Sequence, residues 1–316
     1  MIKIVKQSDG FKEYLPIFAT EEFLQIKSEN YGWFISDAYI LPFYIDKRSI
    51  FSKLVFTTSC IAIKDDDEAL FLEELVMKSK EMDIDLIAQP LASALFSQTP
   101  KNVKYIEWGS YIIDLTQSED EILQNMHSKH RNVVRKAIKD GVIVEETDNI
   151  NIVFENLKET MLRQNRPYAS KEELAKLKPF SKFYIAKKDD VVQGCIVMPF
   201  NSYGGFYLYG GSIAKPYTGS LNYMHYYAML DLKKLGVVKY DFMGARPNVQ
   251  KGSKLEGIQR FKSRFGGTLQ DGYLWKYELK PFKVTLMNTI QKLRSQLKGQ
   301  LYLGDAIDQE LARCKK

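Results

Sequence analysis

Few residues in this chain are of the types that do covalent or metal chemistry, and their spacing rules most of it out. There are three histidines, His127, His130 and His225. His127 and His130 stand three apart and would share a helix face, yet no carboxylate or cysteine cluster completes a metal set. Cys60, Cys195 and Cys314 are far apart and odd in number, giving neither a disulfide frame nor a zinc spacing and fitting a reducing compartment. No G-x-S-x-G elbow, P-loop or G-x-G-x-x-G after a strand is present. Covalent catalysis is unsupported, and no metal is expected. Direct transfer, in which an amine attacks an activated ester or thioester, is the simpler chemistry. It needs orientation, a proton acceptor and hydrogen-bond donors for the developing oxyanion. Asp241, at a predicted strand end, can accept the proton; the plainer reading is an aspartate that fixes the following loop. Backbone N–H groups near Tyr209–Ser212 can serve the oxyanion.

The elements that must position these groups can be read from periodicity. Residues 1–115 alternate short strands (39–46, 53–63, 84–88, 111–115) with helices near 20–30 and 69–81. Ser118 and Glu121 form a capping-box signature that opens one long helix running to Gly141. Helices are then predicted at 151–165 and 170–178, strands at 182–188, 191–199 and 205–213, a helix at 221–235 and a strand at 237–242. A Gly/Pro/Asn-rich loop and a basic-aromatic segment (Gln259, Arg260, Phe261, Lys262, Arg264, Phe265) follow. That segment stops at Gly266–Gly267, and the next stretch alternates like a strand.

At 316 residues the chain exceeds what one core usually holds, so two domains are expected. Its 45% hydrophobic and 27% charged content is that of a globular protein and excludes disordered or fibrous classes. The net charge of +6 permits a polyanionic partner without demanding one. No signal-like start and no run of about 18–20 apolar residues is seen. A cytoplasmic protein is expected, with peripheral contact at the inner face of the membrane as the further option. The 282–298 helix, with Lys283, Lys292, Arg294 and Lys298, either rests on an anionic membrane surface or packs its Val284/Met287/Leu293 side onto a domain.

Four blocks, in order, resemble the peptidoglycan bridge-forming Fem aminoacyltransferases, a branch of the GNAT-like acyltransferases. They are YIIDLTQSEDEILQNMHSKHRNVVRKAIKDGVIVE, Tyr209–Ser212, KYDFMGA (239–245) and GIQRFKSRFGG (257–267), spanning about 110 to 278. Residues 1–90 match only in outline. The resemblance implies an α+β protein of two tandem GNAT-like domains with mixed sheets sharing a cleft. The boundaries read are 1–145, 146–280 and a C-terminal helical segment, 281–316, packing on the domains. It implies transfer of an amino acid from aminoacyl-tRNA to an amine of a nucleotide- or lipid-linked peptidoglycan or envelope precursor, with no cofactor. Position by position, Lys262 falls at the reaction centre, where a cation near a forming oxyanion lowers the barrier. Phe261 and Tyr209 line the substrate, and Arg166 and Lys27 hold phosphates. Arg131 and Arg135 either hold an acceptor or lipid phosphate or are the wet face of an amphipathic helix.

Two departures bear on this reading. Several family members have Asp-Pro at the end of a first-domain strand, where this chain reads Gln89-Pro90, and the long coiled-coil arm of larger members is missing. Acetyl-CoA enzymes place R/Q-x-x-G-x-G/A before the helix that starts near 220, whereas this chain has Lys215-Pro216-Tyr217-Thr218-Gly219-Ser220. The alternative function is an acyl-CoA-dependent N-acyltransferase acting on an amino sugar. A third reading is a binding module without turnover.

Overall fold

The structure is a computed structural model that describes residues 2–48, 50–297, 302 and 304–314. Elements are numbered in chain order. The chain begins β1 (Lys3–Val5), α1 (Glu21–Lys27), β2 (Tyr31–Ile35), β3 (Tyr39–Arg48), β4 (Phe51–Phe56), β5 (Ile61–Ala62), α2 (Glu68–Glu81) and β6 (Leu86–Ile87). It continues β7 (Lys104–Asp114), α3 (Glu119–Asn125), α4 (Ser128–Lys139), β8 (Ile143–Glu146), α5 (Ile150–Arg163), α6 (Lys171–Leu177), β9 (Ser181–Lys188) and β10 (Val191–Asn201). Then come β11 (Gly204–Phe206), β12 (Tyr209–Ser212), α7 (Ser220–Lys234), β13 (Lys239–Asp241), α8 (Lys254–Ser263), β14 (Thr268–Glu278), α9 (Pro281–Leu297) and α10 (Ala306–Cys314).

Two compact units result, and each repeats one plan. The first holds Met1–Gly109, Arg246–Asn248 and Asp271–Lys316; the second holds Ser110–Ala245 and Val249–Gln270. In the first unit β1, β2, β3 and β4 pair antiparallel in that order, β6 lies parallel to β4, and β14 closes antiparallel on β6. In the second, β8, β9, β10 and β11 pair antiparallel, β13 lies parallel to β11, and β7 closes antiparallel on β13. A parallel neighbour needs a crossover, which α2 supplies in one unit and α7 in the other. The expected α+β class with mixed sheets in two copies is the observed one. The boundaries differ from those read above. Residues 110–145 belong with the second unit because Ile113, Leu115, Ile122, Met126 and Ala137 are buried in its core, and 271–316 belong with the first.

Alternation along β9 and β10 shows why both faces of the second sheet are covered. Tyr184, Ala186, Ile196 and Met198 meet Met224, Ala228, Met229 and Leu232 of α7. Phe183, Ile185, Cys195 and Val197 face Val153 and Leu157 of α5 and Leu174 of α6. Successive strand residues point to opposite sides, so such strands read as nearly continuous apolar runs.

The expected single helix from 118 to 141 is two. Ser118 and Glu121 form the capping box as read, but Met126 is extended (ψ 144°) and ends α3. His127 then caps α4 by accepting the Lys129 N–H on Nδ1 at 3.2 Å. The Arg131 guanidinium reaches back and donates to the Gln124 carbonyl at 2.5 Å and to the Met126 carbonyl. Those are carbonyls at the end of α3, which lack helical partners. Arg131 therefore locks the elbow between two helices, a task that periodicity does not reveal.

Candidate functional site

The second unit contains a fork between two parallel strands. β11 and β13 pair at Gly205↔Tyr240 and Phe206↔Asp241, and the last bond across is the Tyr207 N–H to the Asp241 carbonyl, 2.8 Å. Beyond it the strands part. The chain after Asp241 turns toward β7, with the Phe242 N–H on the Tyr111 carbonyl at 3.0 Å. The other strand stays with β10, but its pairing slips by one residue between Phe200↔Gly205 and Val197↔Tyr209. This is a β-bulge at Tyr207–Leu208, a device that re-aims side chains. The expected continuous strand at 205–213 is therefore two pieces.

Asp241 stands at the root of the fork, 8% exposed. Its Oδ1 accepts both the Ser110 hydroxyl and the Met243 N–H, the latter at 2.7 Å. Oδ2 has no hydrogen-bond partner among the described residues. Burial raises the carboxyl above its ordinary value, opposed by the Ser110 and Met243 bonds and by the Lys239 and Lys262 charges. A carboxylate with one oxygen anchored, one oxygen open and a raised proton affinity suits proton acceptance. It also fixes the loop after it through the Met243 N–H, which is the plainer reading of this residue.

Lys262 sits on α8 opposite that loop. Its ammonium donates to the carbonyls of Phe242 (2.8 Å), Met243 and Gly244 (2.8 Å). An ammonium has three N–H groups, and here all three meet main-chain oxygen. The expected direct contact with a substrate carbonyl is not what this geometry offers; Lys262 positions the loop instead. Met243 adopts φ +45°, which disfavours residues with a Cβ. Asp241 grips its N–H and Lys262 its C=O, which together hold the turn.

Phe261, one residue earlier and so about 100° around the helix, faces inward. Its ring meets His130 (5.4 Å between centroids), His225 (5.6 Å) and Phe265 (5.2 Å) in edge-on contacts. His225 shares a 2.6 Å hydrogen bond with the Tyr240 hydroxyl, and burial pulls its pKa down to about 3. His130 is pulled down to about 4 by burial, then by Arg264 and His127, and its Nδ1 has no hydrogen-bond partner among the described residues. Both histidines are buried among the aromatic rings of this core.

The bulge decides between two tyrosines. Tyr209, expected to line substrate, packs with the α5/α6 cluster and donates its hydroxyl to Glu173 Oε1 at 3.0 Å. Tyr207 lies on the other face, edge-on to His225 at 4.6 Å between ring centroids. Its hydroxyl has no hydrogen-bond partner among the described residues, and burial raises its pKa, so it keeps its proton. A Cβ added to Gly210 would stand 1.9 Å from that hydroxyl. Sequence reasoning missed Tyr207 because a regular strand puts 207 and 209 on one face. Of the backbone donors expected at Tyr209–Ser212, the Ser212 N–H is already bound to Thr160 Oγ1 at 2.8 Å.

The remaining expected residues stand on other elements. Arg166 is exposed in the turn between α5 and α6, its N–H on the Met161 carbonyl at 2.9 Å. Arg135 is exposed on α4, where its charge reaches Tyr226. Lys27 ends α1 in the first unit, its ammonium 5.3 Å from the Phe23 ring centre. In that unit Gln89 lines a polar cavity of about 340 Å³ with Lys53, Lys276, Asp305 and Asp308, and its Oε1 accepts the Ile307 N–H at 3.0 Å. At the start of α7, Gly219 (φ +89°) lies so close to α4 that a Cβ would stand 2.4 Å from the Val133 carbonyl oxygen. A carbonyl oxygen beside that helix N-terminus works against binding a pyrophosphate there.

No family model matches the chain, and no curated protein matches its sequence. Solved structures do. The chain is similar to FemX, with TM-score 0.67 and 14% identity over 91% of this chain and 99% of that one. It is similar to the C-terminal domain of an Agrobacterium fabrum protein described as a lysylphosphatidylglycerol synthetase (TM-score 0.54, 12% identity, 87% of this chain and 92% of that one). L-PGS from Bacillus licheniformis gives TM-score 0.50 and 13% identity, over 82% and 87%. The resemblance to Fem transferases drawn from the sequence blocks thus holds at the level of fold.

Proposed function

We propose that this protein is an acyltransferase that moves an aminoacyl group from aminoacyl-tRNA to an amine of a peptidoglycan or other cell-envelope precursor. The support is the fold shared with FemX, with the C-terminal domain described as that of a lysylphosphatidylglycerol synthetase and with L-PGS, together with the fork. One observation carries the chemistry: the open, proton-avid Oδ2 of Asp241 where two strands part. The acceptor amine attacks the ester carbonyl carbon, the new C–N bond forms as the C–O bond to the tRNA ribose breaks, and Asp241 takes the amine proton and returns it to the leaving oxygen. Tyr207, held protonated, donates to the oxyanion, a role worth about 3 kcal/mol per donor in acyl transfer. Lys262 keeps the Phe242–Gly244 turn, and with it Asp241, in place. Arg166, Arg135 and Lys27 remain exposed or partly exposed cations for substrate phosphates. No covalent adduct and no cofactor enter this scheme.

Single-turnover assays with charged tRNA or acetyl-CoA and an amine acceptor test the reading. The expected result is amide product from charged tRNA, abolished in Asp241→Asn. Product from acetyl-CoA alone would replace this reading with the N-acyltransferase alternative, which the Val133 carbonyl beside Gly219 speaks against. Turnover with either donor disposes of the binding-module reading.

A further inference from the structure

Helix α9 belongs to the first unit, and its buried residue is Val284. Phe282, Leu286, Leu293 and Leu297 are 83, 43, 55 and 89% exposed. At about 100° per residue these four fall within an arc of roughly 60° on the side away from Val284. Leu293, expected to pack inward with Val284 and Met287, therefore faces out. Lys292 and Arg294, both exposed, project on either side of the apolar row, and α9 contains no acidic residue. Neither cation has an ion-pair partner among the described residues, whereas Lys280 and Lys283 are paired with Asp85 at 3.1 Å each. Lys298 lies outside the described residues. The Lys283 ammonium also donates to the Ile50 carbonyl at 3.2 Å, which sets the tip of the β3–β4 hairpin beside the first turn of α9. That tip adds Ile50, 70% exposed, and the exposed cations Lys47 and Arg48.

We infer that this face docks on an anionic lipid bilayer, with α9 lying in the plane of the interface. Large apolar side chains in one row with cations along both edges are the pattern of an interfacial helix, whose basic stems snorkel toward lipid phosphates. The charge arrangement selects lipid over a second copy of the chain, because self-pairing through this face would set cations against cations. The inference stands independently of the reaction proposed above.

Co-sedimentation with vesicles containing about 30% phosphatidylglycerol, against pure phosphatidylcholine vesicles, tests it. Wild-type protein is expected to bind the anionic vesicles at least about tenfold more tightly, an advantage that shrinks as salt is raised. Phe282→Ser/Leu293→Ser and Lys292→Glu/Arg294→Glu, all at exposed positions, should each weaken that binding about tenfold or more while leaving the melting curve unchanged. Equal binding to both vesicle types, no binding to either, or double variants that bind like wild type would overturn the inference. So would a dimer in analytical ultracentrifugation that Phe282→Ser/Leu293→Ser converts to monomer.

Discussion

The Lys262 ammonium donates to the Phe242 carbonyl at 2.8 Å across twenty residues of chain, and the same nitrogen holds the next two carbonyls. A cation at this position thus preorganises the turn that carries Asp241's hydrogen-bond donor. Lys262→Met should leave three carbonyls without their donor, at about 1–3 kcal/mol for a buried group left unpaired. A lowered melting temperature and a several-fold fall in single-turnover rate are expected. The pH profile of the residual activity should move to higher pH, because the Lys262 charge is one of the influences that hold the Asp241 pKa down. A variant with wild-type rate and stability would remove Lys262 from the account.

Asp241→Asn separates chemistry from folding. Burial raises the Asp241 pKa, so folding favours the neutral acid. That contribution is present below the unfolded value of 3.8 and is lost as pH rises through the raised folded value. At pH 7.5 the buried charge therefore costs stability, and asparagine retains an acceptor for Ser110 and Met243. The variant should melt at or above the wild-type temperature while transfer falls by about 10²-fold or more. In wild type the rate should climb with pH through the raised pKa. A fully active variant would refute the proton-acceptor role.

The neutral histidines make the second unit acid-sensitive. His225 is drawn from 6.5 to about 3 and His130 to about 4, in both cases chiefly by burial. Between those values and 6.5 the unfolded chain binds protons that the folded chain does not, so stability is lost as pH falls through that window. Urea midpoints should drop steadily from pH 6.5 to 4. His225→Phe, which fills the same aromatic cluster without a titrating group, should flatten part of the slope. Its cost is the Tyr240 hydrogen bond, about 1 kcal/mol.

Gly210→Ala tests the placement of Tyr207. The new methyl would overlap the hydroxyl, whose ring must then leave its seat against His225. Transfer should fall by at least about tenfold, and Tyr207→Phe should reproduce most of that loss with little change in melting temperature. Tyr209→Phe removes only the Glu173 bond and should leave the rate near wild type. The reverse order, with Tyr209→Phe the more damaging, would return the site to the tyrosine first expected from the sequence.

Local pattern determined much of this protein without coordinates. Apolar periodicity marks α2, α5 and α7 and the strands β3, β9 and β10. Ser118 and Glu121 announce the start of α3, and Asp241 is legible as a strand-end carboxylate, because each of these depends only on residues a few positions apart. The tertiary structure decided what lies between distant segments. A one-residue bulge turned Tyr207 and Tyr209 to opposite faces, and the elbow at Met126 needed Arg131 to reach back over it. The backbone oxygens around Lys262 converted an expected substrate contact into a clamp. Asp241 meets Ser110 across 131 residues of chain, a closeness that depends on which strands become neighbours in the sheet and leaves no periodic trace in the sequence.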